Sequence, residues 1–390
     1  MTEEEIKQMR AEQFPQLEDC IYLSHCRIGV PPAVTLEAVR DFINGQCLRR
    51  GEAVVNLHEK DCIREASRLI NAEEDEVGLL RSTSEGMGAF SSMLDLRPGD
   101  SVILNDLEFM SNIIPWRIME REKGITLKIV HHHEGRLRVS DIKKAVDDRT
   151  RVIVISSVQE VNGFRSDIGA IGRLARRHGI LLMVDAIQHL GALSLDVKGA
   201  DIDILIAGGH KWLLSPFGTG VYFVRKALIP RMKPIYLGWR NVEEDNWRDY
   251  GDPAFSPTRS YSIRGDSAKR FMISVTDIIP GVPALWRSLR FINDVGIHEI
   301  EKRIGYLVSV LCDELKGCVR ILSPLDERHR SGILTVRTES DQGITERLAE
   351  RRIYVSRAYA SGTGGIRIAP HFFNTVEEVV AFSRELKGMV

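Results

Sequence analysis

Cysteine is scarce in this sequence and badly spaced for cross-linking. Six thiols, at positions 20, 26, 47, 62, 312 and 318, serve 390 residues without a CxxC pair or a metal-finger spacing. That excludes a disulfide-built scaffold and a thiolate metal module, and it reads as reduced intracellular thiols. Long apolar runs are missing as well: none approaches the ~20 residues that a membrane helix needs. The opening stretch MTEEEIKQMR is acidic and polar, with no hydrophobic core of a secretory signal. Nor is there an excess of charge of one sign. Lys+Arg number 53 against Asp+Glu 54, a net charge of −1, which argues against a general binder of nucleic acid or anionic membrane. No GxGxxG or GxxxxGK[ST] loop follows the first strand, so a nucleotide-binding α/β enzyme lacks its phosphate loop. What remains is ordinary globular composition, 43% hydrophobic and 27% charged. The expectation is a cytoplasmic protein of enzyme size, long enough for two to three domains.

The middle of the chain alternates strand-like and helix-like patterns. Strands are expected at 101–105, 126–130, 151–155, 180–184, 203–207 and 220–224, and helices at 111–123 and 141–146. The clearest helix begins after Ser166 or Asp167, carries Ile168, Ile171, Leu174 and Ala175 on one stripe, and stops at Gly179. Repeated β-α units of this length predict a mostly parallel sheet covered on both faces. Periodicity fades over 226–264, as in a long surface excursion. A long helical region to about Leu315, strands at 333–336 and 365–368, a helix at 345–351 and a capping box at Thr375 and Glu378 then predict a smaller α+β unit. The expected division is 21–265 for the large domain and 266–390 for the small one, joined by residues 1–20.

Three stretches carry chemistry. In Ala207-Gly-Gly-His-Lys-Trp212 a lysine follows an apolar strand directly, where burial would lower its pKa and free the amine as a nucleophile. A lysine capping a strand end is the plain alternative. In Val184-Asp185-Ala-Ile-Gln188-His189 a carboxylate ends a buried parallel strand, where open α/β sheets bind ligands. Taken alone it is better explained as a helix cap. In Arg81-Ser-Thr-Ser-Glu-Gly86 small hydroxyl residues open a helix and make an anion site from N–H groups and the helix dipole. His131-His-His-Glu134 looks metal-binding, but consecutive residues cannot all face one ion, so a solvated loop is expected and no metal site is assigned.

Together these resemble fold type I pyridoxal-phosphate enzymes, in particular the class V aminotransferase family and its branch of isopenicillin-N epimerase-like and cysteine or selenocysteine lyase-like proteins. Glu108-Phe-Met-Ser-Asn-Ile-Ile-Pro-Trp116, Ser157-Val-Gln-Glu-Val-Asn-Gly-Phe-Arg165, the 184–190 and 208–214 stretches and Ile366-Arg-Ile-Ala-Pro-His-Phe-Phe-Asn-Thr375 carry the resemblance. It implies an α/β fold with pyridoxal 5′-phosphate as cofactor. By that resemblance Thr83 and Ser84 bind the phosphate with help from His210, and Phe109 stacks on the ring. Asp185 pairs with the pyridine nitrogen, Gln188 contacts the phenolate oxygen, and Lys211 is the Schiff-base lysine and catalytic base. Arg367 is the expected clamp for an α-carboxylate, with Glu160 and His25 as further substrate contacts. A homodimer with active sites at the subunit interface is implied.

The chain also departs from the family. The stretch Met272-Ile-Ser-Val-Thr276 stands where relatives carry a Gly-Thr reaching the partner's phosphate, which moves attention to Ser274 or Thr276. The loop 356–364, which in desulfurases holds the persulfide cysteine, has no cysteine, leaving Cys26 as the thiol with a route to the cofactor. The resulting expectation is an enzyme acting on an α-amino acid through an external aldimine, by transamination or by C–S lyase chemistry without a persulfide. Cysteine desulfurase or epimerase is the alternative, and a catalytically silent scaffold the non-enzyme one.

Overall fold

The computed structural model describes residues 1–48, 58–243, 253–265, 267–272 and 280–390. An N-terminal helix α1 (Glu3–Gln13) and a short strand β1 (Ile21–Tyr22) lead to α2 (Ala33–Leu48) and α3 (Glu59–Ile70). The large sheet and its helices follow as β2 (Val77–Leu79), α4 (Thr83–Met93), β3 (Ser101–Asn105), α5 (Met110–Lys123), β4 (Thr126–Val130), α6 (Val139–Ala145), β5 (Thr150–Ser156), α7 (Ile168–His178), β6 (Leu181–Asp185), β7 (Ile204–Gly208) and β8 (Gly220–Val224). The C-terminal part holds α8 (Gly281–Val295), α9 (Ile297–Leu315), β9 (Arg320–Ile321), β10 (Leu334–Arg337), α10 (Asp341–Glu350), β11 (Ile353–Tyr354), β12 (Ser356–Ala360), β13 (Thr363–Ile368) and α11 (Val376–Lys387).

Seven strands form the large sheet in the order β2-β8-β7-β6-β5-β3-β4. Strands β3 to β7 are parallel; β3, β5, β6 and β7 are apolar in their centres and buried, as crossover helices on both faces require, whereas the edge strand β4 carries Lys128 at its middle and is half-buried. Only β8 runs against its neighbours β2 and β7. The chain returns from Gly208 to Gly220, which pair in register, through a short connection and not through a helix. That connection carries Lys211 and leaves it at the carboxyl edge of the sheet. The helix read most clearly from sequence is α7: Asp167 caps it by accepting from the Ala170 N–H at 3.0 Å, and Gly179 ends it at φ 64°.

A second, antiparallel sheet has the order β12-β13-β10-β9. Leu307, Leu311, Leu334, Ile366, Val379 and Phe382 form its core against α9 and α11. The N-terminal segment ties in here: β1 pairs with β11, Arg10 meets Glu378 at 2.6 Å and Phe14 stacks on Phe373 at 3.6 Å. Two expectations need correction. The long helical region is two helices, because Gly296 at φ 90° breaks it; Leu285, Leu289 and Ile292 of α8 pack into the core of the large sheet, and α9 contributes to both cores. The supposed loop after Val355 is a strand in a tight hairpin, its alternation hidden because the inward residues are small: Ser356, Ala358 and Ala360.

Candidate active site

The carboxyl ends of β5, β6 and β7 open into a cavity of about 700 Å³ whose lining includes Thr83, Ser84, Phe109, Glu160, Asp185, Gln188, His210, Lys211 and Arg367. An open α/β sheet presents ligand-binding groups at this edge.

One end of the cavity is the start of α4. Ser82 caps the helix, accepting from the Glu85 N–H at 3.2 Å, so the N–H groups of the first turn face outward. Thr83 Oγ1 accepts from the Gly208 N–H at 2.9 Å, which keeps its own proton available, and Ser84 Oγ lies 2.6 Å from Ser111 Oγ. His210 stacks on Phe217 with centroids 4.6 Å apart. Burial, then the charge of Lys211, pushes its pKa down to about 4, so near neutral pH it is an uncharged donor. Hydroxyls, a helix N-terminus and a neutral imidazole suit a phosphate.

Asp185 ends β6 with 3% of its surface exposed, and its Oδ1 accepts from the Ile187 N–H at 2.9 Å. Burial raises its pKa to about 7, with the nearby Glu108 adding to the rise and the Ile187 N–H opposing it. A carboxylate held this way is short of a cationic partner, and a protonated pyridine nitrogen is such a partner. Glu108 itself is saturated. Its oxygens accept from Asn105 (2.5 Å), Asn112 (2.6 Å), the Ser156 N–H (2.7 Å), Ser156 Oγ (2.5 Å) and Gln159 (3.1 Å), forming a rigid floor beside Asp185. Gln188 accepts from Trp212 Nε1 and donates to the Cys26 carbonyl, each at 2.9 Å. Phe109, just before α5, is 44% exposed and turns toward the cavity.

Lys211 sits in the β7–β8 connection with its Nζ 3.6 Å from Glu160. Gly29 locks this connection: its N–H donates to the His210 carbonyl at 2.7 Å, and a Cβ there would stand 1.8 Å from the Lys211 carbonyl oxygen. Across the cavity, Arg367 on β13 is 4% exposed. Its Nη1 donates to the Glu160 carbonyl at 3.1 Å, the Glu160 carboxylate lies 3.8 Å away, and its buried Nε has no partner. A buried guanidinium short of acceptors is suited to a carboxylate.

These residues therefore fit pyridoxal 5′-phosphate: an anion cradle, a buried carboxylate without an ion-pair partner among the described residues, a lysine and an arginine around one cavity. One expected substrate contact does not reach it. His25 is fully buried and packs edge-on against Tyr22, His371 and Phe373, with both ring nitrogens unpartnered and its pKa driven well down by burial. Its neighbour Cys26 takes the wall position instead. Ser274 and Thr276 lie outside the described residues. The histidine run takes separate partners: His131 meets Asp106, His132 meets the Ser361 carbonyl and His133 meets Asp141. Among the described residues no metal-holding group forms, and no helix is long and apolar enough to cross a membrane. Sequence reasoning missed Arg27, Arg357 and Tyr359 on the wall and the Glu108–Asn112 floor; the i, i+4 spacing of the latter pair was a usable signal.

Comparison with known proteins points to one family and one fold. A family model described as aminotransferase class-V matches residues 50–382. A probable cysteine desulfurase of Methanothermobacter thermautotrophicus is 25% identical over 396 residues, covering 96% of each chain. The apo structure of a cysteine desulfurase from Thermococcus onnurineus NA1 superposes with a TM-score of 0.86 at 20% identity, covering 98% of both chains. The cystine C–S lyase C-DES, in complex with its product cysteine persulfide, superposes with a TM-score of 0.85 at 21% identity over 96% of this chain and 99% of that one.

Proposed function

Because the chain belongs to the class-V aminotransferase family of pyridoxal-phosphate enzymes, and so acts on an amino-acid substrate, we propose that its reaction is C–S bond cleavage in a cysteine-type amino acid. The observation that carries the reading is the convergence of Asp185, Lys211 and Arg367 on one cavity. The C–S branch is supported by a relative named as a desulfurase that aligns over nearly the whole chain. Sequence reasoning put transamination beside C–S cleavage and desulfuration second; the relatives favour sulfur chemistry, and neither transamination nor epimerisation gains a comparable argument.

Bound here, pyridoxal phosphate supplies a protonated ring that accepts the electron pair released when a bond at the substrate Cα breaks. The α4 N-terminus, Thr83, Ser84 and His210 would hold the phosphate, Asp185 would keep the ring nitrogen protonated, Gln188 would offer its second amide N–H to the phenolate oxygen, and Phe109 would pack on the ring. Arg367 fixes the α-carboxylate. Lys211, once its amine is free, takes the Cα proton and returns a proton later. From L-cysteine and water the balanced products are sulfide, pyruvate and ammonia.

A second reading is favoured by Cys26, a buried residue of the same cavity wall whose Sγ lies 3.4 Å from Ser356 Oγ. Were this thiol the sulfur acceptor, the products from L-cysteine would be alanine and a Cys26 persulfide. The β12–β13 hairpin carries no cysteine to compete with it. The test is to incubate holoenzyme with L-cysteine and with cystine, and to assay pyruvate, alanine and sulfide alongside the intact mass. Sulfide or persulfide release with pyruvate supports elimination. Alanine with one extra sulfur on Cys26, lost in Cys26→Ser, supports the second reading. Keto-acid formation dependent on an acceptor keto acid, with sulfur retained, overturns both.

The proposed assembly is a homodimer. Met110, Ile114 and Ile118 form an exposed apolar stripe on α5, 65%, 54% and 39% exposed, running away from Phe109 at the cavity. A patch of this kind beside an active site fits a subunit contact.

A further inference from the structure

We propose that Arg27 and Arg357 form a subsite for a second anionic group of the substrate, so that the preferred substrate is a cysteine derivative whose sulfur substituent ends in a carboxylate. The inference rests on the C–S reading above and names the class of leaving group.

The cavity lining carries four cationic side chains, Arg27, Lys211, Arg357 and Arg367, but only two carboxylates, Glu160 and Asp185. Both carboxylates are committed. Asp185 belongs to the ring-nitrogen position, and Glu160 stands between Lys211 at 3.6 Å and Arg367 at 3.8 Å. The guanidiniums of Arg27 and Arg357 make no hydrogen bond or ion pair with any described residue.

Their location follows from a seam between two segments. Cys26 Sγ and Ser356 Oγ are 3.4 Å apart, and Ser356 pairs in register with Arg367. Arg27 follows Cys26 and Arg357 follows Ser356, and both line the same cavity as Arg367. The phosphate groups are gathered elsewhere, at the α4 N-terminus where Thr83 meets Gly208. With an α-carboxylate on Arg367, Arg27 and Arg357 remain as cavity-lining cations without a partner among the described residues. A neutral substituent entering there would strip water from two cations without return. A carboxylate would gain charge-assisted, forked hydrogen bonds.

The test uses holoenzyme and two ligands of nearly equal shape, S-(2-carboxyethyl)-L-cysteine and its neutral amide S-(2-carbamoylethyl)-L-cysteine. Each is titrated while the cofactor absorbance is followed, which reads binding whether or not turnover occurs. The carboxylate is expected to bind at least about tenfold tighter, the size of one charge-assisted hydrogen bond. Arg357→Gln and Arg27→Gln should each bring the ratio of dissociation constants toward one. Equal affinities in the native enzyme, or a ratio undiminished in both variants, would overturn the subsite. Release of thiol and pyruvate from the same ligands reads the C–S chemistry separately. A retained ratio without cleavage would sink that chemistry and leave the subsite standing; cleavage with equal affinities would do the reverse.

Discussion

Replacing Asp185 by asparagine should stabilise the cofactor-free protein while weakening the holoenzyme. The side chain is 3% exposed, and its pKa is raised from the ordinary aspartate value of 3.8 to about 7, first by burial and then by Glu108. An unfolded chain loses this proton near pH 4 and the folded one near pH 7. Between the two, the native state binds more protons, so stability falls as pH rises. About three pKa units at ~1.4 kcal/mol each amount to roughly 4 kcal/mol lost by pH 8 relative to pH 4. Asp185→Asn removes the charge but keeps an acceptor for the Ile187 N–H. Urea unfolding of the cofactor-free variant should therefore show a gain of about 2–4 kcal/mol over native at pH 8 and almost none at pH 4. With cofactor bound the order should invert, because the ring nitrogen supplies the missing cation to the native aspartate and nothing to the amide. A variant no more stable than native at pH 8, or equally stabilised at both pH values, would refute the reasoning.

Lys211→Ala should abolish the absorbance of lysine-linked cofactor and cut turnover by at least about 10³-fold. Stability should move by less than about 1 kcal/mol, because Lys211 makes only a 3.6 Å ion pair with Glu160; full activity in the variant would remove the assignment. Ile114→Glu places a charge in the exposed stripe of α5. Light scattering should then report chains of 44.0 kDa where the native protein gives twice that mass; a native monomer with full activity would end the dimer proposal.

Local chemistry was enough for most of the large sheet and the residues at its edge. The strand expected at 101–105 is β3 to the residue, because a short apolar run between Asp100 and Asp106 has one way to be buried. Asp185 and Lys211 were legible for a related reason: a charged side chain directly after a buried strand must stand at the strand's end. The same logic misled at His25, where polarity pointed to a binding role and packing among aromatic rings enclosed the imidazole. It was silent over 356–360, where small inward residues hide a strand's alternation.

The sequence by itself determined the α/β class, the cofactor chemistry and the likeness to a family, because these rest on short stretches whose meaning is local. Only the tertiary structure decided which side chains share the cavity. Glu160 is 51 residues from Lys211 and 207 from Arg367 along the chain, yet its carboxylate lies within 4 Å of both. No periodicity encodes that meeting. It arises because β5 and β7 flank β6 in one sheet while β13 belongs to another, and the packing of the two sheets brings their edges to one opening. The charge surplus at Arg27 and Arg357 has the same origin: two residues far apart in the chain line one cavity, where Cys26 closes on Ser356.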